Sequence, residues 1–381
     1  MRNLWLVVAA AIAFVPQPQR AARQTVISIE GREFRVNGRP TYAGRSYDGT
    51  TVQGLLFNSR MVQGIFDDRN PETRKRWAYP DGPWDPERNT REFIAAMPLW
   101  KASGLLAFTI NLQGGSPEGY SRSQPWVTSS FETDGRLRPD YMSRLERVLN
   151  RADELGMVAI VGFFYQGQER QMDSADAVIR AADEAIDWLI AKRYTNVLVE
   201  VANEADNAGF KYDVVKPAGR AMELINRLKD RANRASSSGR LLISTSLNGG
   251  RVPSDSLVGA VDFVLLHGNG VKDPARITQM VEETRKLPNY RGQPILFNED
   301  DHFDFDKREN NMLAALREYA SWGFFDYRMA GERFDDGYQS VPVNWTISSP
   351  RKRDFFKLLA TVTGVTAKYL RPPNSDCAPS R

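Results

Sequence analysis

The sequence predicts an α/β fold: a (β/α)8 TIM barrel with a small N-terminal β-hairpin or flap. Three observations predict it. Short apolar runs with strand character alternate with helical segments from residue 52 to residue 362. Two of those runs, 196–204 and 293–299, end on the same Asn-Glu pair. The two glutamates, Glu204 and Glu299, stand 95 residues apart across three strand-to-strand steps. That is about 32 residues per step, consistent with roughly 250 residues for eight βα units. An open doubly wound sheet is the alternative, and no Gly-rich phosphate fingerprint after the first strand supports it.

The elements follow in chain order. Residues 1–24 read as an export leader, with Arg2, an apolar run from Leu4 to Val15, and Ala21-Ala22 near a cleavage point. Retention of this segment as an anchor is the other reading. Residues 25–50 form the N-terminal hairpin, because Thr25 to Tyr42 alternates apolar and polar residues around Gly31 and Asn37-Gly38. Its expected place is the bottom of the barrel. The barrel occupies 51–366, and 367–381 is a C-terminal tail. Strands are expected to begin at 52, 105, 157, 196, 241, 261, 294 and 324, with the first covering Val52 to Phe57 and the last Phe324 to Arg328. Helices are expected over 91–103, 138–155, 174–193, 212–235, 274–286 and 307–321. A closing helix runs to Val362, with Ser349-Pro350 as its cap and first turn. Gly156 caps the second of these helices, and the Ser236-Ser237-Ser238-Gly239 turn ends the fourth.

Charge and composition exclude several classes. The net charge of +4 includes Arg2, Arg20 and Arg23 of the leader, and the remaining Lys and Arg are scattered among acids. No basic stripe marks a nucleic-acid partner. Cys377 is the only cysteine, so no intrachain disulfide forms. Only two histidines occur, with no ligand pair at helical spacing, so no metal or cofactor is expected; a calcium on the acidic run Glu299-Asp300-Asp301-His302-Phe303-Asp304 is the one metal alternative. Gly114 to Gly119 fails as a phosphate loop because Tyr120 stands where Lys should. Nucleophile elbows of a serine esterase are absent. The expected location is export to the periplasm or beyond the cell, with no membrane contact in the mature form and a monomer as the default.

The two Asn-Glu strand ends carry chemistry. Parallel strands of one barrel bring their carboxyl ends to one rim, so Glu204 and Glu299 are expected to face each other across a cleft. Acetal cleavage passes through an oxocarbenium-like state and needs an acid for the departing oxygen and a carboxylate for the positive carbon. Asn203, beside the acid, is a candidate to bond a sugar hydroxyl. His267 ends the run Val264-Leu265-Leu266 and is a candidate partner of substrate or of Glu299. Asn111, Gln113, Tyr165 and Gln168 follow the second and third strands and are candidate hydroxyl binders. Tyr120, Trp126, Phe164, Tyr165, Tyr338 and Trp345 gather near strand ends, where sugar rings would stack.

The runs Val199-Glu200-Val201-Ala202-Asn203-Glu204 on the fourth strand and Phe297-Asn298-Glu299 on the seventh resemble cellulase-like glycoside hydrolases of clan A, which are (β/α)8-barrel glycosidases. The resemblance covers roughly residues 36–364, with these two motifs as its specific part. It implies a retaining glycosidase that cleaves O-glycosidic bonds of an oligo- or polysaccharide by double displacement, with Glu204 as acid/base and Glu299 as nucleophile. It also implies an Arg near the nucleophile. The second strand ends Asn111-Leu112-Gln113 instead, leaving Arg45 or Arg60 to supply it. His267 stands where the clan often has Tyr, and Trp345 matches the place of a sugar-platform Trp. The alternative reading is a noncatalytic carbohydrate-binding or scaffold barrel, and a hydrolase or lyase acting on a non-sugar substrate is the third.

Overall fold

A computed structural model describes residues 23–121, 123–235 and 240–366. All but the last two residues of the leader, the 236–239 turn and the C-terminal tail with Cys377 lie outside them. Among the described residues no helix is long and apolar enough to cross a membrane.

The N-terminal segment forms an antiparallel sheet of β1 (Ile27–Glu30), β2 (Glu33–Val36) and β3 (Arg39–Pro40), followed by a hairpin of β4 (Ser46–Tyr47) and β5 (Thr50–Thr51). Alternation buries Phe34 and Ile27 against Leu56, Val158, Ile160, Leu198 and Phe263, near the starts of the barrel strands. Phe34 meets Phe263 edge to face at 6.1 Å between ring centroids. This layer fills the end of the barrel opposite the carboxyl rim. Phe34→Ala should therefore lower unfolding stability by about 3–5 kcal/mol. The site, at the other end, should keep its ligand affinity. Denaturant unfolding checks the first expectation and titration calorimetry the second.

Among the described residues eight strands make the barrel: β6 (Asn58–Arg60), β7 (Ala107–Asn111), β8 (Val158–Tyr165), β9 (Val197–Asn203), β10 (Leu242–Ser244), β11 (Val264–His267), β12 (Ile295–Glu299) and β13 (Gly323–Phe324). Six pair in the order β10-β9-β8-β7-β6-β13, and β11 pairs with β12. Two seams complete the ring. Parallel bridges Leu296–Ser321 and Asp300–Phe324 join β12 to β13 and the residues leading into it. On the other side, the Asp262 N–H donates to Ile243 O at 2.9 Å and Ser244 Oγ to Phe263 O at 2.6 Å, joining β10 to the approach to β11. The fold is a (β/α)8 barrel.

The helices are α1 (Pro71–Arg74), α2 (Pro86–Ala102), α3 (Pro139–Leu155), α4 (Ala175–Ala191), α5 (Ala221–Ala235), α6 (Asp255–Ala260), α7 (Pro274–Arg285), α8 (Asn311–Arg317) and α9 (Pro350–Thr363). Their starts follow capping chemistry: Asp85, Ser174 and Ser349 accept from backbone N–H groups of α2, α4 and α9. Gly156 ends α3 with φ 65, where a side chain would be strained.

Several boundaries depart from the sequence reading, each for a local reason. α2 begins five residues earlier than expected, because Asp85-Pro86 makes a stronger start than the apolar pattern. α5 begins at Ala221 rather than 212, since Pro217 and Gly219 interrupt the turn before it. α8 is confined to seven residues. The first strand is Asn58–Arg60 and not Val52 to Phe57. Its polar side chains bond inside the barrel, with Asn58 Nδ2 donating to Phe297 O at 2.9 Å and Ser59 Oγ to Phe324 O at 3.2 Å. The last strand is only Gly323–Phe324.

Candidate active site

β9 is apolar on its helix-facing positions, yet carries Glu200 on the inward face, four residues before Glu204. Strand alternation places both carboxylates on that face. Glu204 then takes φ 53, in the left-handed region uncommon for a non-glycine residue, and its N–H is held by Ser246 Oγ at 2.9 Å. This turn aims the Glu204 side chain over the mouth of the barrel. From β12 comes Glu299, and a register shift between Leu266 and His267 of β11 sets His267 directly opposite it.

The sequence expectation that Glu204 and Glu299 meet is the central geometry. A carboxylate oxygen of each, with a ring nitrogen of His267, lie within 4.8 Å of one another. His267 is fully buried, with Nδ1 at 3.4 Å from Glu204 Oε1 and 3.5 Å from Glu299 Oε2. Its Nε2 lies 3.8 Å from Glu200 Oε1. Arg60, at the end of β6, brings Nη1 to 3.0 Å from Glu299 Oε2 and donates from Nε to Gln339 Oε1 at 3.1 Å. Asn269 donates to Glu204 Oε1 at 3.1 Å. Below, Glu200 accepts from Ser246 Oγ at 2.5 Å and from Asn298 Nδ2 at 3.1 Å.

Electrostatics follow from this packing. Burial alone would strip the proton from His267, but Glu299, Glu200 and Glu204 reverse that and push its pKa up to about 10. Burial raises Glu299, Arg60 and His267 pull it down, Glu204 and Glu200 push it up again, and it stands at about 7. Burial also opposes ionisation of Glu204, yet His267, Asn269 and Arg60 outweigh it and hold that carboxyl below its ordinary value. Arg60 and His267 thus bring two positive charges to three carboxyls, and one proton among the carboxyls makes the cluster neutral. Glu204, His267 and Glu299 are also close enough to share a metal ion. Without one, His267 Nδ1 lies between the two glutamates and Arg60 supplies positive charge at Glu299.

The cleft above has a volume of ≈ 960 Å³, at the upper end for small-molecule sites. Glu204, Glu299, Tyr165, Tyr120 and Phe325 line it, together with amide side chains from the loops after β7, β8, β9, β10 and β11. Of the candidates, Glu204, Glu299 and Tyr165 reach the cleft wall, while His267 and Asn203 lie beneath it, buried. Asn203 Oδ1 has no partner among the described residues.

Four candidates are corrected. Trp345 is 1 % exposed and is no platform: its indole donates to Asn89 Oδ1 at 3.0 Å and packs on Phe93 and Tyr338 behind β13. The loop after β13 folds it inward. Asn111 is buried inside the barrel, where Gly162 makes room for it: a Cβ there would stand 2.2 Å from Asn111 Oδ1. Gln113 is spent on Ser129 Oγ and the Tyr165 N–H, and Gln168 on the Thr128 N–H and Trp126 O. Both fasten loops. Of the two arginines expected near Glu299, Arg60 is there, whereas Arg45 donates to Thr361 O and Val362 O at the end of α9. The acidic run is dispersed, with Asp300 on Trp322 and Asn311, Asp301 on the Gly270 N–H, and Asp304 on Lys307.

Sequence reasoning missed Glu200 and Asn269. The signal for Glu200 was present: one carboxylate in mid-strand, in register with Glu204. Asn269, two residues past His267, carried none.

No family model and no curated protein matches the chain. Its structure is similar to that of a glycoside hydrolase family 5 mannosidase from Rhizomucor miehei, at TM-score 0.52 and 14 % identity, over 90 % of this chain and 98 % of that one. An endo-1,4-β-mannanase from the same organism gives TM-score 0.54 and 10 % identity, over 89 % and 99 %. A broad-specificity endoglucanase from Clostridium longisporum gives 0.51 and 11 %, over 82 % and 96 %. At these identities the likeness is one of fold.

Proposed function

We propose that the chain is a retaining glycoside hydrolase acting on an oligo- or polysaccharide, with Glu299 as nucleophile and Glu204 as acid/base. The observation that carries this reading is the approach of two buried carboxylates to within 4.8 Å at the rim of the barrel. Retention uses carboxyl groups about 5–5.5 Å apart, whereas inversion needs about 6.5–9.5 Å to admit a water. The likeness of fold to family 5 mannosidases and glucanases supports the same class.

Roles follow from permanent charge. Arg60 keeps its proton under all conditions and lies against Glu299, which favours an anionic carboxylate there. Among the described residues Glu204 has no such neighbour at ion-pair distance; its contacts are His267 and Asn269. The resting proton favours the opposite order, with Glu299 up to about 7 and Glu204 low. In so close a pair the dissociable proton belongs to both groups. His267 Nδ1 bridges them, so it can give its proton to Glu204 and take one from Glu299 without water. Glu204 then protonates the departing oxygen while Glu299 attacks the anomeric carbon. In the second half Glu204 takes a proton from water, which opens the glycosyl ester. The cleft's aromatic rings and amides hold the sugar.

The reading is tested by the product's first-formed anomer. Proton NMR during hydrolysis of an aryl glycoside should show the substrate's configuration retained, and a 2-deoxy-2-fluoro glycoside should add its mass to the peptide bearing Glu299. An inverted product, or no hydrolysis across neutral and charged glycosides, would overturn it.

A further inference from the structure

Arg170 is the one basic side chain lining the cleft among the described residues. It sits in the short 3₁₀ turn Glu169–Gln171 after β8, and the structure gives its guanidinium no hydrogen bond or ion pair among the described residues. Arginines elsewhere on the surface are commonly matched, as Arg227 is with Asp183 at 2.6 Å and Arg231 with Asp187 at 2.5 Å.

The turn that presents Arg170 is fastened on both sides. Gln168 bonds the Thr128 N–H and Trp126 O, Glu169 accepts from the Lys211 and Tyr212 N–H groups at 2.9 Å each, and Gln171 Nε2 donates to Trp126 O at 3.1 Å. The backbone of Arg170 is therefore fixed. Around it the cleft is built from amides rather than broad aromatic surface. Gln124 and Gln166 line the same wall, each with a buried Oε1 that has no partner among the described residues. Asn207 donates to Asn248 Oδ1 at 3.0 Å across the neighbouring loops. Apart from the two site glutamates, no Asp or Glu among the described residues lines the cleft to neutralise the guanidinium.

Resting on the glycosidase reading, we infer that the substrate carries negative charge. Arg170 takes an anionic sugar unit, a uronate carboxylate or a sulfate ester, and the amide wall takes its hydroxyls. A guanidinium presents paired N–H donors that match two oxygens of either group. β8 is paired with β9, and Tyr165 stands opposite Asn203, so the charged unit lies on the wall that carries Glu204.

The test compares matched oligosaccharides of one backbone: neutral, oxidised to the uronate, and sulfated. Wild-type kcat/KM and calorimetric affinity should favour an anionic substrate by about tenfold or more at low salt, as for a charge-assisted hydrogen bond pair. Added salt should reduce the preference. In R170Q the ratio of anionic to neutral kcat/KM should fall toward one, with R170K intermediate. The uronate and sulfate arms separate the two sources of charge. A neutral preference in the wild type, or an R170Q variant with an unchanged ratio, overturns the inference while the glycosidase reading stands. If no substrate turns over, the glycosidase reading fails; calorimetry then decides the inference alone, upheld by anionic binding that R170Q abolishes and overturned by its absence.

Discussion

Glu299→Gln should lower kcat on an activated aryl glycoside by on the order of 10⁴-fold or more, the scale seen when a covalent nucleophile is removed. Gln is the informative replacement because Arg60 lies buried 3.0 Å from the carboxylate. An alanine would leave that cation facing a void, whereas the amide keeps the volume and an acceptor oxygen. Near-native cooperative unfolding is therefore expected, which separates lost chemistry from lost structure. Glu204→Gln should behave differently. General acid catalysis contributes about 10²–10⁴-fold, and an activated leaving group departs without a proton. The Glu204→Gln enzyme should form its covalent intermediate readily and hydrolyse it slowly, giving a burst followed by a slow phase. Stopped-flow release of the aryl group and mass spectrometry of the quenched protein distinguish the two variants. A Glu299→Gln enzyme within tenfold of wild-type kcat would remove the nucleophile from the reading, and a burst in that variant would exchange the two roles.

How much of this was legible in the sequence depends on which physical signal each residue carried. Glu204 and Glu299 were legible because a carboxylate that ends an apolar strand has one place to go in a parallel barrel. His267 was legible for the same reason. The strand carrying Arg60 was not. Asn58-Ser59-Arg60 has no apolar residue, and a pattern reading seeks the strand in the apolar stretch before it. Those three side chains are fully buried and bond to groups across the barrel interior, a tertiary fact with no local trace. Trp345 shows the reverse error. Its position in the chain suggests the rim, but its burial depends on how the loop after β13 turns, which Phe93, Trp100 and Tyr338 decide. Glu200 lay between these cases. Its alternation with Glu204 was readable, while its tie to His267 required β11, two strands away, with its register shifted against β12.

Arg60→Met should cost about 3–5 kcal/mol of stability at alkaline pH, because it leaves the buried Glu299 carboxylate without its permanent counter-charge. The cost depends on pH, and its sign follows from the carboxyl. In the folded wild type Glu299 stands at about 7, with Arg60 among the groups pulling it down. Removing Arg60 raises it further. Below about pH 7 Glu299 is protonated in both folded proteins, so the carboxyl adds little to the difference between them. Above that pH the wild type ionises and the variant resists, so the variant loses additional stability as pH rises toward its own higher value. Denaturant midpoints at pH 6 and pH 9 should therefore diverge, with the larger loss at pH 9. Catalysis should respond to the same displacement. Wild-type kcat/KM should decline as pH rises through about 7, when the pair loses its shared proton. In Arg60→Met that limb should move to higher pH, while kcat at pH 6 falls by on the order of 10²–10³-fold, the cost of removing one preorganised electrostatic partner. Arg60 also donates to Gln339 and lies 5.6 Å from the centroid of the Phe325 ring, so part of the loss in stability is packing. The shift of the pH limb is the part that packing alone would not produce. An Arg60→Met enzyme with the wild-type pH profile would show that Glu299 does not draw its charge state from this arginine, and the assignment of nucleophile would lose its electrostatic basis.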